Sequence, residues 1–313
     1  DMSAFVEACI TDIDCADIYT GVETLIGKFL QQERDAFASG ALPPVQVHTK
    51  YVPDYDSLPV LRQQDTERII DRSLRRLGVE RLDLVQFHWW DFSVPGYVET
   101  ALCLTDLQRA GKICYVGVTN FDAAHLTELL DAGVPVLSNQ VQYSVLDCRP
   151  AADLTDLAAH HDISLLGYGT IAGGFLSDRY LEAPAPSPPL DNRSLVKYRL
   201  IIEEFGGYEP FQALLRDLRR IADKYGVGIA EVAACYILQQ PQVAGVIVGA
   251  RNRKHLGGLR ALSGFQLDAG DLAALRTRQA RAPGPAGPVY GLERDKRGKH
   301  GAIMRYNLNE QRK

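Results

Sequence analysis

The sequence predicts an α/β fold, a (β/α)8 TIM barrel that lacks its first strand at the N-terminus. Three observations point there. Short apolar runs recur along all 313 residues and alternate with helical patterns, as strands do when crossover helices join a parallel sheet. Most of these runs are short and apolar, which suits strands buried on both faces. Several of them end in polar side chains, and in a barrel the strand ends meet at one mouth.

Met2–Cys9 reads as the end of an amphipathic helix, and the first strand candidate, Asp12–Cys15, follows it. The other strand candidates are Val45–Lys50, Leu82–His88, Ile113–Val118, Val136–Val141, Ser164–Tyr168 and Val243–Val248. Helical spacing lies between them. Val22, Leu25, Ile26 and Phe29 repeat at it, and so do Leu61, Ile69, Ile70, Leu74 and Leu77 within Val60–Leu77. Val98–Arg109, Ala123–Leu130, Ala151–His160, Phe211–Tyr225, Ile229–Gln239 and Lys254–Leu262 complete the helical set. Asp122 stands where an N-cap for Ala123–Leu130 belongs. Seven strands suit an open doubly wound sheet or a barrel one strand short. The helical tail at the N-terminus favours the barrel.

Two stretches interrupt the repeat. The span 173–210 contains APAPSPP, which cannot be helix interior or central strand, so it reads as a long functional or mobile loop. APGPAGP breaks the last helical pattern at Arg281. The expected organisation is therefore a catalytic domain over 1–282 and a polar C-terminal tail over 283–313. That tail either lies across the barrel or stays solvated.

Composition narrows the function. Lys and Arg total 34 against 39 Asp and Glu, a formal charge of -5, so no nucleic-acid or anionic-membrane partner is expected. No apolar run reaches the ~18–20 residues of a membrane span. Six scattered cysteines, none in C-x-x-C spacing, suit reduced thiols and a cytoplasmic setting. No secretory signal is visible at Asp1.

Two glycine motifs carry little. GYGTIA (Gly167–Ala172) matches a dinucleotide pattern but opens no helix, and GVETLIGKF lacks P-loop spacing. No histidine pair has metal-ligand spacing on one helix face. The stronger signal is distributed over strand ends. Asp14, Asp17 and Tyr19 follow the first strand, Lys50 ends the second and His88 the third. Thr119 and Asn120 end the fourth, Gln140 lies in the fifth, and Tyr168 closes the sixth. Each alone has a bland alternative: a cap, a surface lysine, a satisfied core histidine. Several polar strand ends in phase are hard to explain as structure.

The residue types suit carbonyl reduction. A free tyrosine is too weak an acid near neutral pH. A nearby ammonium favours its phenolate, and Asp14 could hold Lys50 there. His88 could hydrogen-bond a carbonyl oxygen. Asn120 and Gln140 offer amides to a carboxamide, and Tyr168 offers a ring for stacking.

DCADIYTGVETLIGK resembles the Asp-x-Ala-x-x-Tyr signature of the aldo-keto reductase family. LGVERLDLVQFHWWD, GKICYVGVTNFDAAHL, NQVQYS, GYGTIAGGFL and VIVGARNRKHL resemble further motifs of that family, in the family's order. The resemblance implies a (β/α)8 barrel that reduces aldehydes or ketones with NADP (NADPH) and no metal. It implies a catalytic tetrad of Asp14, Tyr19, Lys50 and His88. Thr119, Asn120, Gln140, Tyr168, Gly249, Arg251, Asn252 and His255 fall on cofactor-binding positions, with Lys254 close by, and Trp89 is a candidate for the substrate side. The family's YSPL reads YGTI here, and its usual Glu-Asn reads Gly258–Leu259. The implied partner is a small carbonyl substrate, and oligomeric state stays open. The rival is a cofactor-binding regulatory subunit resembling potassium-channel β subunits, with little turnover.

Overall fold

The computed structural model describes residues 1–250, 252–282 and 284–309. Seven strands form one sheet in chain order. They are β1 (Asp12–Asp14), β2 (Gln46–Tyr51), β3 (Leu82–Phe87), β4 (Ile113–Thr119), β5 (Val136–Gln142), β6 (Ser164–Tyr168) and β7 (Val243–Ile247). The paired strands run parallel, and helices separate most of them. This is the connectivity of a (β/α)8 barrel, with seven strands among the described residues.

The chain divides into two compact units. One holds residues 1–140 together with the end of the chain from Arg305, and the other holds 141–304. In the first unit, β3 and β4 bury most of their residues, which explains why apolar side chains dominate both. Helix Gln63–Leu77 buries Thr66, Ile69, Ile70, Ser73 and Leu77 at helical spacing and ends on the left-handed Gly78. It crosses helix Val22–Gln32 at Gly27, where a Cβ would stand 2.3 Å from the Arg76 carbonyl oxygen, so a larger residue would force the helices apart.

The expected helix over Val60–Leu77 begins later, at Gln63, because Tyr55–Val60 forms a separate 3-10 segment. Asp122 caps Ala123–Asp131 as expected, its side chain accepting from the His125 amide at 3.0 Å.

In the second unit, helix Tyr208–Tyr225 lays Phe211, Leu214, Leu215, Leu218 and Ile221 into the core beside the nearly all-buried helix Ile229–Leu238. The span 173–210 is not all loop. Arg193–Glu204 is a helix capped by Asn192, and it buries Leu195, Tyr198, Ile201 and Ile202.

The C-terminal stretch is docked in both units. In the second, Glu293 is fully buried against Arg149, whose guanidinium also grips Asp147 at 2.7 and 2.9 Å. In the first, the amides of Leu308 and Asn309 donate to Asp54 at 2.7 and 2.8 Å. Among the described residues, no helix is long and apolar enough to cross a membrane.

Candidate active site

The first unit gathers its polar strand ends around Asp14. The parallel register pairs Asp14 with His48, Lys50 with Gln86, and Thr119 with Gln140, so the ends of β1 to β5 stand at one level. The Lys50 ammonium donates to both carboxylate oxygens of Asp14, at 2.7 and 2.6 Å, and to the Cys15 carbonyl at 2.9 Å. Gln86 and Gln140 donate to the same carboxylate at 3.0 and 2.7 Å, and Gln140 also donates to Gln86 at 2.9 Å. Asp14 is thus a hub whose oxygens accept from one ammonium and two amides. A buried ion pair needs this completeness, since partial satisfaction leaves the desolvation cost unmet.

Tyr19 follows β1 in a turn and is 46% exposed. Lys50 lies over its ring, 5.8 Å from the centroid. His88 is buried at the end of β3, and its Nδ1 donates to the Thr119 carbonyl at 3.2 Å. A carbonyl only accepts, so this contact places the proton of neutral His88 on Nδ1. The Trp90 indole packs edge-on against His88 at 4.5 Å and donates to the Pro53 carbonyl at 2.9 Å.

Trp89 is fully buried, donates to the Val94 carbonyl and packs on Phe87 and Tyr97. Trp90, two residues after His88, is the indole beside it. Its outer neighbour is Tyr306, with ring centroids 5.1 Å apart.

Asp17 does not join the hub. It lies beneath, fully buried, accepting from the Val52 amide and from Arg72 at 3.2 and 3.3 Å. Burial pushes its carboxyl up to about 8, with Arg72 opposing. An unfolded aspartic acid titrates near 4. The folded form therefore binds more protons between those values, and this contribution to stability is lost as pH rises through about 8. Thermal melts at pH 5 and pH 8 should show a larger fall in wild type than in Asp17→Asn. Equal falls would remove Asp17 as the cause. Cys15 is a buried thiol pushed up to about 12, which leaves it unreactive.

Of the cofactor candidates in this unit, Thr119 donates its hydroxyl to the Gln140 carbonyl at 2.9 Å. Asn120 is nearly buried at a left-handed φ of 63°, a conformation asparagine tolerates better than most residues. The Gln140 amide nitrogen is committed to the hub.

In the second unit, Tyr168 closes β6 and the Tyr198 hydroxyl packs on the following glycine. A Cβ at Gly169 would stand 2.3 Å from that hydroxyl, so the turn after β6 admits only glycine. Thr170, one residue on, is fully buried with its hydroxyl unbonded. Gly249 is exposed, with nothing near its missing Cβ. Asn252 caps the 3-10 turn Arg253–His255, accepting from the Lys254 amide at 3.0 Å, and His255 is exposed. Arg251 lies outside the described residues.

Gln86 escaped the sequence reading. It stands at the parity of His88 along β3, and that parity is the signal that could have found it. Trp90, a candidate for the pocket wall together with Trp89, shares that parity.

The first unit thus brings an Asp–Lys pair, a tyrosine and a histidine to parallel strand ends. The chain belongs to the aldo/keto reductase family, whose model matches residues 1–278. Members of that family are oxidoreductases of carbonyl compounds. Over 303 residues it is 25% identical to "Aldo-keto reductase YhdN" of Bacillus subtilis, covering 92% of this chain and 85% of that protein. It is 35% identical over 173 residues to "Flagellar radial spoke protein 5" of Chlamydomonas reinhardtii, a match spanning 49% of this chain and 33% of that relative's length. Among solved structures it resembles the glycerol dehydrogenase AKR11B4 of Gluconobacter oxydans, with a TM-score of 0.75 and 25% identity. That likeness covers 92% of this chain and 86% of that one.

Proposed function

We propose that this chain reduces aldehydes or ketones to alcohols with NADPH, with Tyr19 as proton donor assisted by Lys50, Asp14 and His88. The observation that carries the reading is the Lys50 ammonium, gripped on both oxygens by Asp14 and lying over the Tyr19 ring. In its protonated form His88 donates from Nε2 to the carbonyl oxygen and fixes its place, while Nδ1 stays on the Thr119 carbonyl. As that oxygen gains charge, the Tyr19 hydroxyl gives it a proton, and the Lys50 ammonium stabilises the phenolate left behind. Asp14 keeps the ammonium aimed. A bound nicotinamide cofactor supplies hydride to the carbonyl carbon.

The residues fit such a cofactor. Asn120 and the Gln140 oxygen suit a carboxamide, and Tyr168 suits a planar ring. The tight Gly169 turn and the unbonded Thr170 hydroxyl lie where the chain departs from the family's YSPL. Free cysteines throughout fit a reducing, cytoplasmic setting. Purified chain mixed with NADPH and a small aromatic aldehyde should oxidise the cofactor only when aldehyde is present. Cofactor binding with negligible turnover over a panel of carbonyls would transfer the reading to a regulatory subunit.

The preference for NADPH rests on the basic residues that follow β7 in the sequence. Arg251, Asn252, Lys254 and His255 supply the cation and donors that a 2′-phosphate needs, and NAD lacks that phosphate. Arg251→Ala should weaken NADPH binding about ten- to a hundredfold and leave NADH nearly unchanged. Fluorescence titration of both cofactors checks this. Equal losses for the two would take Arg251 out of the phosphate site.

A further inference from the structure

We infer that Lys197 sets the balance between the oxidised and reduced forms of the cofactor that Tyr168 receives. The inference rests on the proposed role of Tyr168 as the ring on which the nicotinamide stacks. Lys197 projects from helix Arg193–Glu204. Its ammonium lies 4.8 Å from the Tyr168 ring centroid, 5.5 Å from that of Tyr198 and 5.8 Å from that of Tyr290. Three tyrosine rings therefore surround one cation.

The helix that carries it is anchored by the buried side chains of Leu195, Tyr198, Ile201 and Ile202. Lys197 is itself half-buried on that helix. The nearby carboxylates, Asp147 and Glu293, are each gripped by two nitrogens of Arg149. Lys197 and Arg149 balance Asp147 and Glu293 in number. The ammonium is the member of this group that faces the rings.

A cation over a tyrosine draws on the negative face of its π system. Tyr168 then has less attraction to offer a second cation. Oxidised nicotinamide is positively charged and the reduced ring is neutral. Lys197 therefore penalises NADP+ on Tyr168, through the ring and by direct repulsion, and leaves NADPH almost untouched. A reductase gains from this difference, because release of oxidised cofactor ends each turnover and product release often limits the rate.

Calorimetric titration of NADP+ and NADPH into wild type, Lys197→Met and Lys197→Arg tests it. Lys197→Met keeps the stem and removes the charge. It should tighten NADP+ about three- to tenfold and hold NADPH within about twofold. Lys197→Arg should keep the wild-type ratio. Lys197→Gln carries the same expectation as Met should the thioether disturb packing. Equal tightening of both forms would mean that Lys197 competes for the ring. Equal weakening would mean that it holds a phosphate. Either result, or an unchanged ratio, overturns the inference and leaves the cofactor reading standing. A wild type that binds neither form overturns both.

Discussion

Tyr19→Phe should lower kcat for carbonyl reduction by about 10²–10⁴-fold, the usual cost of losing a general acid. The substitution deletes one hydroxyl and keeps the ring that lies under Lys50, 5.8 Å from its ammonium. Tyr19 is half-exposed, so the change should cost little stability. Cofactor affinity should stay within about twofold, because the hydroxyl acts only as charge develops on the substrate oxygen. Stopped-flow reduction under single-turnover conditions separates the chemical step from cofactor release. A variant that keeps most of the wild-type rate constant for that step would take Tyr19 out of the proton-donor role. The hub around Asp14 would then have no acid to serve.

The sheet was legible because parallel strands buried on both faces leave short, mostly apolar runs. Each observed strand lies within a residue or so of its expected bounds. Asp14, Lys50 and His88 stood out as candidates for a related reason, being charged or polar where an apolar run ends. Gln86 was hidden because it lies inside such a run, where a lone amide reads as filler. Only the register that sets it beside Lys50 gives it a task. Trp89 and Trp90 are chemically alike, and strand parity decides which of them meets His88. Helix Arg193–Glu204 follows a proline run whose breaker signal spread over a segment that is locally helical. The tyrosines around Lys197 come from positions 168, 198 and 290, and no short window of sequence holds all three. Contacts between distant residues were invisible to periodicity, and they include the second ring of support at both Asp14 and Tyr168.

Lys50→Met should have two effects that a second substitution can pull apart. The ammonium donates three hydrogen bonds, two to Asp14 and one to the Cys15 carbonyl, and it is nearly buried. Removing it leaves the Asp14 carboxylate with only the amides of Gln86 and Gln140. Breaking one side of a buried ion pair typically costs about 3–5 kcal/mol, so the melting temperature should fall. Reduction should also fall, by about 10²–10⁴-fold near neutral pH, because nothing then stabilises the Tyr19 phenolate. Loss of rate alone would be ambiguous, since a destabilised protein is also a less active one. Adding Asp14→Asn to Lys50→Met removes the uncompensated charge and keeps a side chain of similar shape. The double variant should recover much of the lost melting temperature, as paired removal of a buried ion pair often does. It should recover none of the rate. Thermal melts and single-turnover rates on both single variants and the double complete the cycle. A double variant that regains activity along with stability would reduce Lys50 to a structural partner of Asp14. One that regains stability alone keeps Lys50 in the proposed role, with its ammonium over the Tyr19 ring.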